Sequence, residues 1–273
     1  MRAVRLFADD CVLYRTITSE EDATSLQKDL DALQRWENDW KMEFHPQKCQ
    51  LLRITSKRNI IKHNYNIHGH ILEEVDAAKY LGVTLHQSLS WNTHIRNITN
   101  KANKTRAFIQ RNLHAAPPLA KENCYQALVR PILEYASSVW DPWTKSNIDV
   151  IEAVQRRSAR FVKNDFGRYS SVDQMLKDLK WDTLRERRAR AKGIIMFRID
   201  LEQIAIPKDM FIATNRGRGH NKSLLVPYSR TELHQHSFIP DSIRIWNKLS
   251  QNLVDSPSVD GFRTGIEKVT LRK

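Results

Sequence analysis

An α+β fold, with its strands gathered near the N-terminus and helices filling the rest, is what this sequence predicts. Three observations support it. Short runs of β-forming residues bounded by turn signals occupy the chain up to Trp91 on either side of one helical segment, Glu20–Phe44. Apolar residues recur at helical spacing from Trp91 onward. Charge also separates, with seven basic against ten acidic residues over 1–50 but thirteen against five over 156–198.

Composition narrows the function classes. With 273 residues, 41% hydrophobic and 27% charged, the chain can bury a substantial core, and its length suggests two folding units rather than a disordered tail. A formal charge of +13 and a pI near 9.7 favour an anionic partner, nucleic acid foremost, although ribosomal, chromatin and membrane-surface proteins share that balance. Cys11, Cys49 and Cys124 lie far apart, which argues against a disulfide framework or a zinc knuckle and predicts a reducing compartment, the cytoplasm or nucleus. No run of about eighteen apolar residues exists, and Asp9 and Asp10 interrupt what would otherwise resemble a signal peptide, so no membrane partner is expected.

Taken in order, Val4–Phe7 and Cys11–Tyr14 read as strands flanking Phe7-Ala8-Asp9-Asp10, which puts two carboxylates at one hairpin tip. Adjacent acids repel one another, so the pair suits a divalent cation; a plain polar turn is the alternative. Glu20–Phe44 reads as one amphipathic helix, capped by Ser19 with Asp22 three residues on. Trp36 and Trp40, one turn apart, are expected in its core face. His45-Pro46 ends the helix, and Lys48-Cys49 leads into a strand over Gln50–Thr55. Tyr65–Leu72 reads as an exposed hairpin around His68-Gly69, where His63, His68 and His70 lack the partners of a metal site. Lys79–Leu85 follows as a strand in which Gly82 permits close backbone approach.

The remainder reads as helical and cationic. One helix spans Trp91–His114; a second, carrying Tyr125 to Val139, is expected to be buried and kinked at Pro131. From Ile148 to Val162, Ile151, Val154, Ser158 and Phe161 lie opposite Arg156, Arg160 and Lys163, with Arg157 nearby, a basic stripe suited to phosphates. Arg185–Lys192 is expected to extend that cationic surface, and Asn215–His220 to form a basic loop. Trp246, Leu249, Phe262, Ile266 and Val269 supply apolar faces near the C-terminus.

The succession of Phe7-Ala8-Asp9-Asp10, a Trp-bearing helix, His45-Pro46-Gln47-Lys48-Cys49, and Lys79-Tyr80-Leu81-Gly82-Val83 with Trp91 beyond resembles the second half of a reverse transcriptase. More narrowly, it resembles the polymerase of jockey-type non-LTR retrotransposons, as does Ile239-Pro240 to Leu249. The resemblance implies a partial palm over 1–55, a primer-grip-like β-hairpin region over 56–91, a helical basic thumb over 92–200 and a C-terminal extension over 201–273. It implies that Asp9 holds catalytic metal with Asp10 beside it, and that Lys48 donates a proton to the leaving pyrophosphate. Tyr80, Leu81 and Gly82 are implied to position the primer end, and Arg156, Arg157, Arg160 and Lys163 to meet nucleic acid. The implied reaction is deoxynucleotide addition to a DNA primer on an RNA template with Mg²⁺ or Mn²⁺. In these enzymes an upstream palm aspartate and the fingers complete the site, and this chain begins after both. The expectation is therefore a truncated, catalytically incomplete polymerase, complete at its C-terminus, that acts with an upstream segment or retroelement RNA. The alternatives are a non-catalytic nucleic-acid-binding module and a decayed remnant.

Overall fold

The structure, a computed structural model, describes residues 2–55, 57–206, 211–213 and 219–272. Of the expected basic loop, 215–218 lie outside the described residues. The chain divides into two units, Met1–His94 and Ile95–Lys273.

In the first unit, β1 (Arg2–Phe7) and β2 (Asp10–Arg15) pair antiparallel with Phe7 opposite Asp10, leaving Ala8 and Asp9 as the turn. Helix α1 (Glu20–Trp40) begins at a complete capping box, in which the Ser19 side chain accepts from the Asp22 N–H and the Asp22 carboxylate accepts from the Ser19 N–H. Such a cap is worth about 1 kcal/mol. The helix stops four residues short of the Phe44 expected. Lys41 turns left-handed at φ 52°, and the buried Glu37 carboxylate accepts from the returning Phe44 N–H and contacts His68 Nε2 at 2.9 Å. The expectation that both tryptophans are core is corrected for Trp40, which is 68% exposed in the last turn.

Strands β3 (Gln50–Leu52), β4 (Asn66–Ile67), β5 (His70–Ile71) and β6 (Glu73–Val75) are short: β3 pairs parallel with β6, and β4 antiparallel with β5. His68 and Gly69 both have positive φ, the requirement of a type I′ turn. This hairpin is exposed at its tip and along β5, where Ile71 is 60% exposed. Tyr65 and Ile67, on the other side, are buried with Ala23 and Leu30 of α1, and Gln27 bonds both the N–H and the C=O of Asn66 at 3.0 Å. Strands β7 (Ala77–Tyr80) and β8 (Val83–His86) complete the unit as a third hairpin. The single strand expected over Lys79–Leu85 is thus two, because Leu81 and Gly82 turn the chain at φ 45° and 80°.

The second unit is helical: α2 (Asn92–Asn112, whose first turn reaches back across the boundary), α3 (Pro118–Cys124), α4 (Arg130–Glu134), α5 (Ser137–Trp140), α6 (Lys145–Lys163), α7 (Val172–Asp178) and α8 (Leu184–Asp200). The short α9 (Glu232–Gln235), α10 (Phe238–Trp246), α11 (Gln251–Val254) and α12 (Val259–Ile266) follow. Between α3 and α4 the turn widens into a π-helix over Tyr125–Val129, with Arg130 N–H bonded to Tyr125 C=O. Pro131 lacks an N–H and crowds the turn before it, and the wider turn relieves that crowding. The helix expected to continue to Val139 ends at Glu134, where Tyr135 becomes extended and Ala136 left-handed. Tyr125, Val129 and Leu133 are buried, but Leu128, Tyr135 and Val139 are exposed, which corrects the expectation of a buried face.

Helix α8 is the centre of this unit, packing against α10, α12, α5 and α6. Phe197 stacks on Phe262 at 4.2 Å between ring centroids, over a core that includes Ile243, Trp246, Val254 and Ile266. A Cβ on Gly193 would lie 2.5 Å from Ile266 Cδ1, so glycine is what lets α8 and α12 approach. The expectation that Arg185–Lys192 forms cationic surface is overturned. Arg188, Lys192 and Arg190 are 0%, 1% and 9% exposed and each has a carboxylate partner: Asp141 for Arg188, Asp141 and Asp241 for Lys192, Asp182 and Glu186 for Arg190. Paired charges can be buried where isolated ones cannot. No helix among the described residues is long and apolar enough to cross a membrane.

Two substitutions separate buried from surface pairing. Asp141→Ala should cost about 3–5 kcal/mol, because it leaves buried cations unpartnered. Asp173→Ala, which removes the exposed partner of Arg156, should cost less than about 1 kcal/mol. Urea unfolding midpoints at constant m-value check both.

Candidate functional site

The β1–β2 hairpin carries Asp9 in its turn and Asp10 as the first residue of β2, both exposed, beside a Phe7 that is 64% exposed. Cys11, the next residue, is half-buried; its thiol is pushed up by burial and then by Cys49. Cys49 directly follows Lys48, so the residue after the acid pair and the residue after Lys48 are electrostatic neighbours. Lys48 itself is exposed at the end of a single 3₁₀ turn, Pro46–Lys48, closed by the Cys49 N–H donating to the Pro46 carbonyl at 3.1 Å. Among the described residues no ion pair joins Lys48 to either aspartate.

Two carboxylates are what the tip offers a divalent cation. Among the described residues no group of three or more His, Cys, Asp or Glu could hold a metal ion. Mg²⁺ prefers near-octahedral oxygen coordination through carboxylates, waters and substrate phosphates. The residues present therefore do not by themselves make a complete site. His68 is engaged with Glu37, and the His63 ring lies 4.9 Å from that of Tyr65.

Tyr80, Leu81 and Gly82 form the tip of the β7–β8 hairpin, with Tyr80 and Leu81 half-buried and Gly82 exposed. Val83, the first residue of β8 after the turn, is buried, and the Thr84 N–H donates to His94 Nδ1 at 3.2 Å. His94 is buried, and burial lowers its pKa below the usual imidazole range. The neutral ring, protonated on Nε2, is the form that can accept this bond.

On α6 the two faces separate, with Ile151, Val154, Ser158 and Phe161 buried and Arg156, Arg157 and Lys163 exposed. The four cations expected to meet nucleic acid are not equivalent. Arg160 donates to the carbonyls of Gly167 at 3.1 Å and Ser170 at 3.3 Å, so it closes the loop after the helix. Arg156 pairs with Asp173 at 2.7 Å and Lys163 with Asp178 at 3.5 Å, both near the surface. Arg157 reaches across to α2, where Nη1 donates to Asn103 Oδ1 at 3.3 Å.

That contact identifies the surface the motif reading missed. No Asp or Glu occurs between Asp76 and Glu122, so α2 is a 21-residue helix without an acid, bearing exposed Arg96, Lys101, Lys104 and Arg111. Arg106, on the same helix, is lowered by burial and then by the Arg157 guanidinium, so at this point α2 and α6 bring two like charges together. The acid-free stretch was the available signal in the sequence.

Comparison with known proteins gives a family-level context. The chain is 29% identical to the probable RNA-directed DNA polymerase from transposon BS of Drosophila melanogaster over 192 residues, 67% of this chain and 21% of that protein. It is 28% identical over 163 residues to the RNA-directed DNA polymerase from mobile element jockey of the same species, and 28% over 163 residues to its Drosophila funebris counterpart. In both cases 58% of this chain and 18% of the relative are covered. The chain thus corresponds to a jockey-like reverse-transcriptase region and spans about a fifth of the length of the curated relatives it matches. No family model matches it. No solved structure matches it either.

The His94 geometry sets a pH dependence. With the folded pKa depressed, the stabilisation from the Thr84–His94 bond is present above the unfolded value of about 6.5 and is lost as pH falls through the folded one. His94→Asn retains an acceptor but no titration. Its stability should decline less than the wild type's from pH 7 to 5, measured by chemical denaturation at each pH.

Proposed function

We propose that this chain is a nucleic-acid-gripping part of a non-LTR retrotransposon RNA-directed DNA polymerase, comprising the acidic palm hairpin and the helical region that follows it. The similarity to the jockey and BS polymerases carries the reading. In it, the α2–α6 zone contacts the phosphates of an RNA template and DNA primer. The β7–β8 tip, Tyr80-Leu81-Gly82, steadies the primer end. The tight β7–β8 turn, with positive φ at both Leu81 and Gly82, and an acid-free helix support those roles, since the helix has no carboxylates to repel a phosphodiester backbone.

Asp9 and Asp10 are the proposed metal-holding carboxylates, and Lys48 the proposed proton donor. When bound, Mg²⁺ or Mn²⁺ would activate the primer hydroxyl and stabilise the departing oxygens. Two carboxylates among the described residues are too few to organise that ion, so the proposed behaviour of this chain alone is binding without extension. The donor shortage also favours a non-catalytic binding module as the second reading.

Primer extension by the chain with Mg²⁺ or Mn²⁺ should yield no product, and a product abolished by Asp9→Ala would overturn the proposed inactivity. Affinity for an RNA/DNA duplex should fall steeply with salt. Arg157→Gln and Lys104→Gln should each reduce the salt slope by about one. Arg156→Gln should have a smaller effect, because Asp173 already offsets its charge. Fluorescence anisotropy across a salt series measures all three, and binding that ignores salt would count against the interface.

A further inference from the structure

Helix α2 sets its outward side chains in a fixed order. Lys101, Lys104, Phe108 and Arg111 recur at spacings of three, four and three residues, which puts them on one stripe of the helix. All four are exposed, and the stripe lies opposite the buried Ile95, Ala102 and Ile109. Lys104 and Arg111 stand about 10.5 Å apart along the axis, with Phe108 between them.

Phe108 is 59% exposed, and its neighbours one turn away, Lys104, Thr105, Arg111 and Asn112, are all polar. Two of these are turned onto the helix backbone: Thr105 Oγ1 donates to the Lys101 carbonyl at 3.2 Å and Asn112 Nδ2 to the Phe108 carbonyl at 2.8 Å. A single exposed aromatic is ordinary on a protein surface. The setting of this one is not, because it is the one Phe, Tyr or Trp of a helix without an acid and has a cation on either side. Phenylalanine is also a poorer helix former than leucine or lysine, so neither helix stability nor solubility favours it at an exposed position.

Resting on the nucleic-acid reading above, we propose that the Phe108 ring stacks on an unpaired base while Lys101, Lys104 and Arg111 hold phosphates of the same single strand. Charge selects a polyanion, since no Asp or Glu lies between Asp76 and Glu122. The ring selects among polyanions. Bases within a duplex are already stacked on one another and offer the ring no face, whereas an unpaired base does. Every base has such a face, so the contact tolerates any sequence. The two parts of the stripe respond differently to ions: phosphate contacts weaken as salt rises, and stacking on an aromatic ring does not release counterions.

Fluorescence anisotropy of the full chain with an oligothymidylate, and with an abasic strand of the same length, tests the proposal. The wild type should bind the oligothymidylate about five- to thirtyfold more tightly than the abasic strand. Phe108→Ala should remove that preference and leave the salt slope unchanged, while Phe108→Trp should keep the preference. Phe108→Leu, apolar but without a flat face, should lose it as alanine does. Lys104→Gln should lower the salt slope by about one on both strands and leave the preference intact. The ring stands largely in solvent, so these variants keep the core. Equal affinity of the wild type for the two strands, with a steep salt slope, overturns the stacking while the phosphate interface stands. Retention of the preference in Phe108→Ala or Phe108→Leu overturns it as well. Salt-insensitive binding, or none, removes the interface itself and the stacking with it.

Discussion

The helical unit depends on the carboxylate of Asp141. Burial alone would raise its pKa, but Lys192, Arg272 and Arg188 outweigh burial and hold it below the usual carboxylate range. The three cations arrive from different places: two from the middle of α8 and one from the C-terminal segment. Asp141 itself follows α5 directly. One oxygen pair thus ties an element early in the unit to its central helix and its last residues. Glu186 reinforces the closure by accepting from the backbone N–H groups of Leu271 and Arg272. Removing a member of such a cluster leaves the others charged and dry, so its contribution is to specificity of packing as much as to stability.

The chain uses charge in two opposed ways. In α8 each buried cation is matched by an acid and turned inward, where a low local dielectric strengthens the match. In α2 and the exposed face of α6, cations stand beside one another with Arg157 and Arg106 in mutual repulsion and no carboxylate on α2 to relieve it. Repulsion of that kind is tolerated at a surface, where water and salt screen it, and is relieved by a polyanion. The distinction between the two sets of cations is the physical basis on which the proposed nucleic-acid interface is placed at α2 and α6. The acid pair at the β1–β2 tip is a third case, exposed and supported by a strand pair rather than by counter-charge.

Features governed by neighbouring residues were legible in the sequence. The Ser19–Asp22 capping box, the His68–Gly69 turn and the two faces of α6 all follow from spacing over a few residues. Features governed by distant partners were not. Trp40 belongs to the apolar stripe of α1 by period, yet the helix ends beside it and leaves it in solvent because Glu37 draws the chain back. The Pro131 region reads as one kinked, buried helix, whereas a π-turn and the left-handed Ala136 divide it and expose Leu128 and Val139. Among the site residues, the grouping of Asp9 with Asp10 was evident from adjacency. The structural occupation of Arg160 by the 165–170 loop was not.

By itself the sequence determined the order of the landmarks, the net positive charge and the acid-free stretch that becomes α2, because these are properties of residue identity and spacing. Only the tertiary structure decided which cations are available. Arg185–Lys192 and Arg156–Lys163 are both dense in basic residues, and nothing local tells them apart. Their fates differ because Asp141 and Asp241, remote in sequence from α8, are folded against it, while the exposed face of α6 meets surface acids and the uncharged Asn103. A charge is surface or core according to what stands opposite it, and that is fixed by the fold.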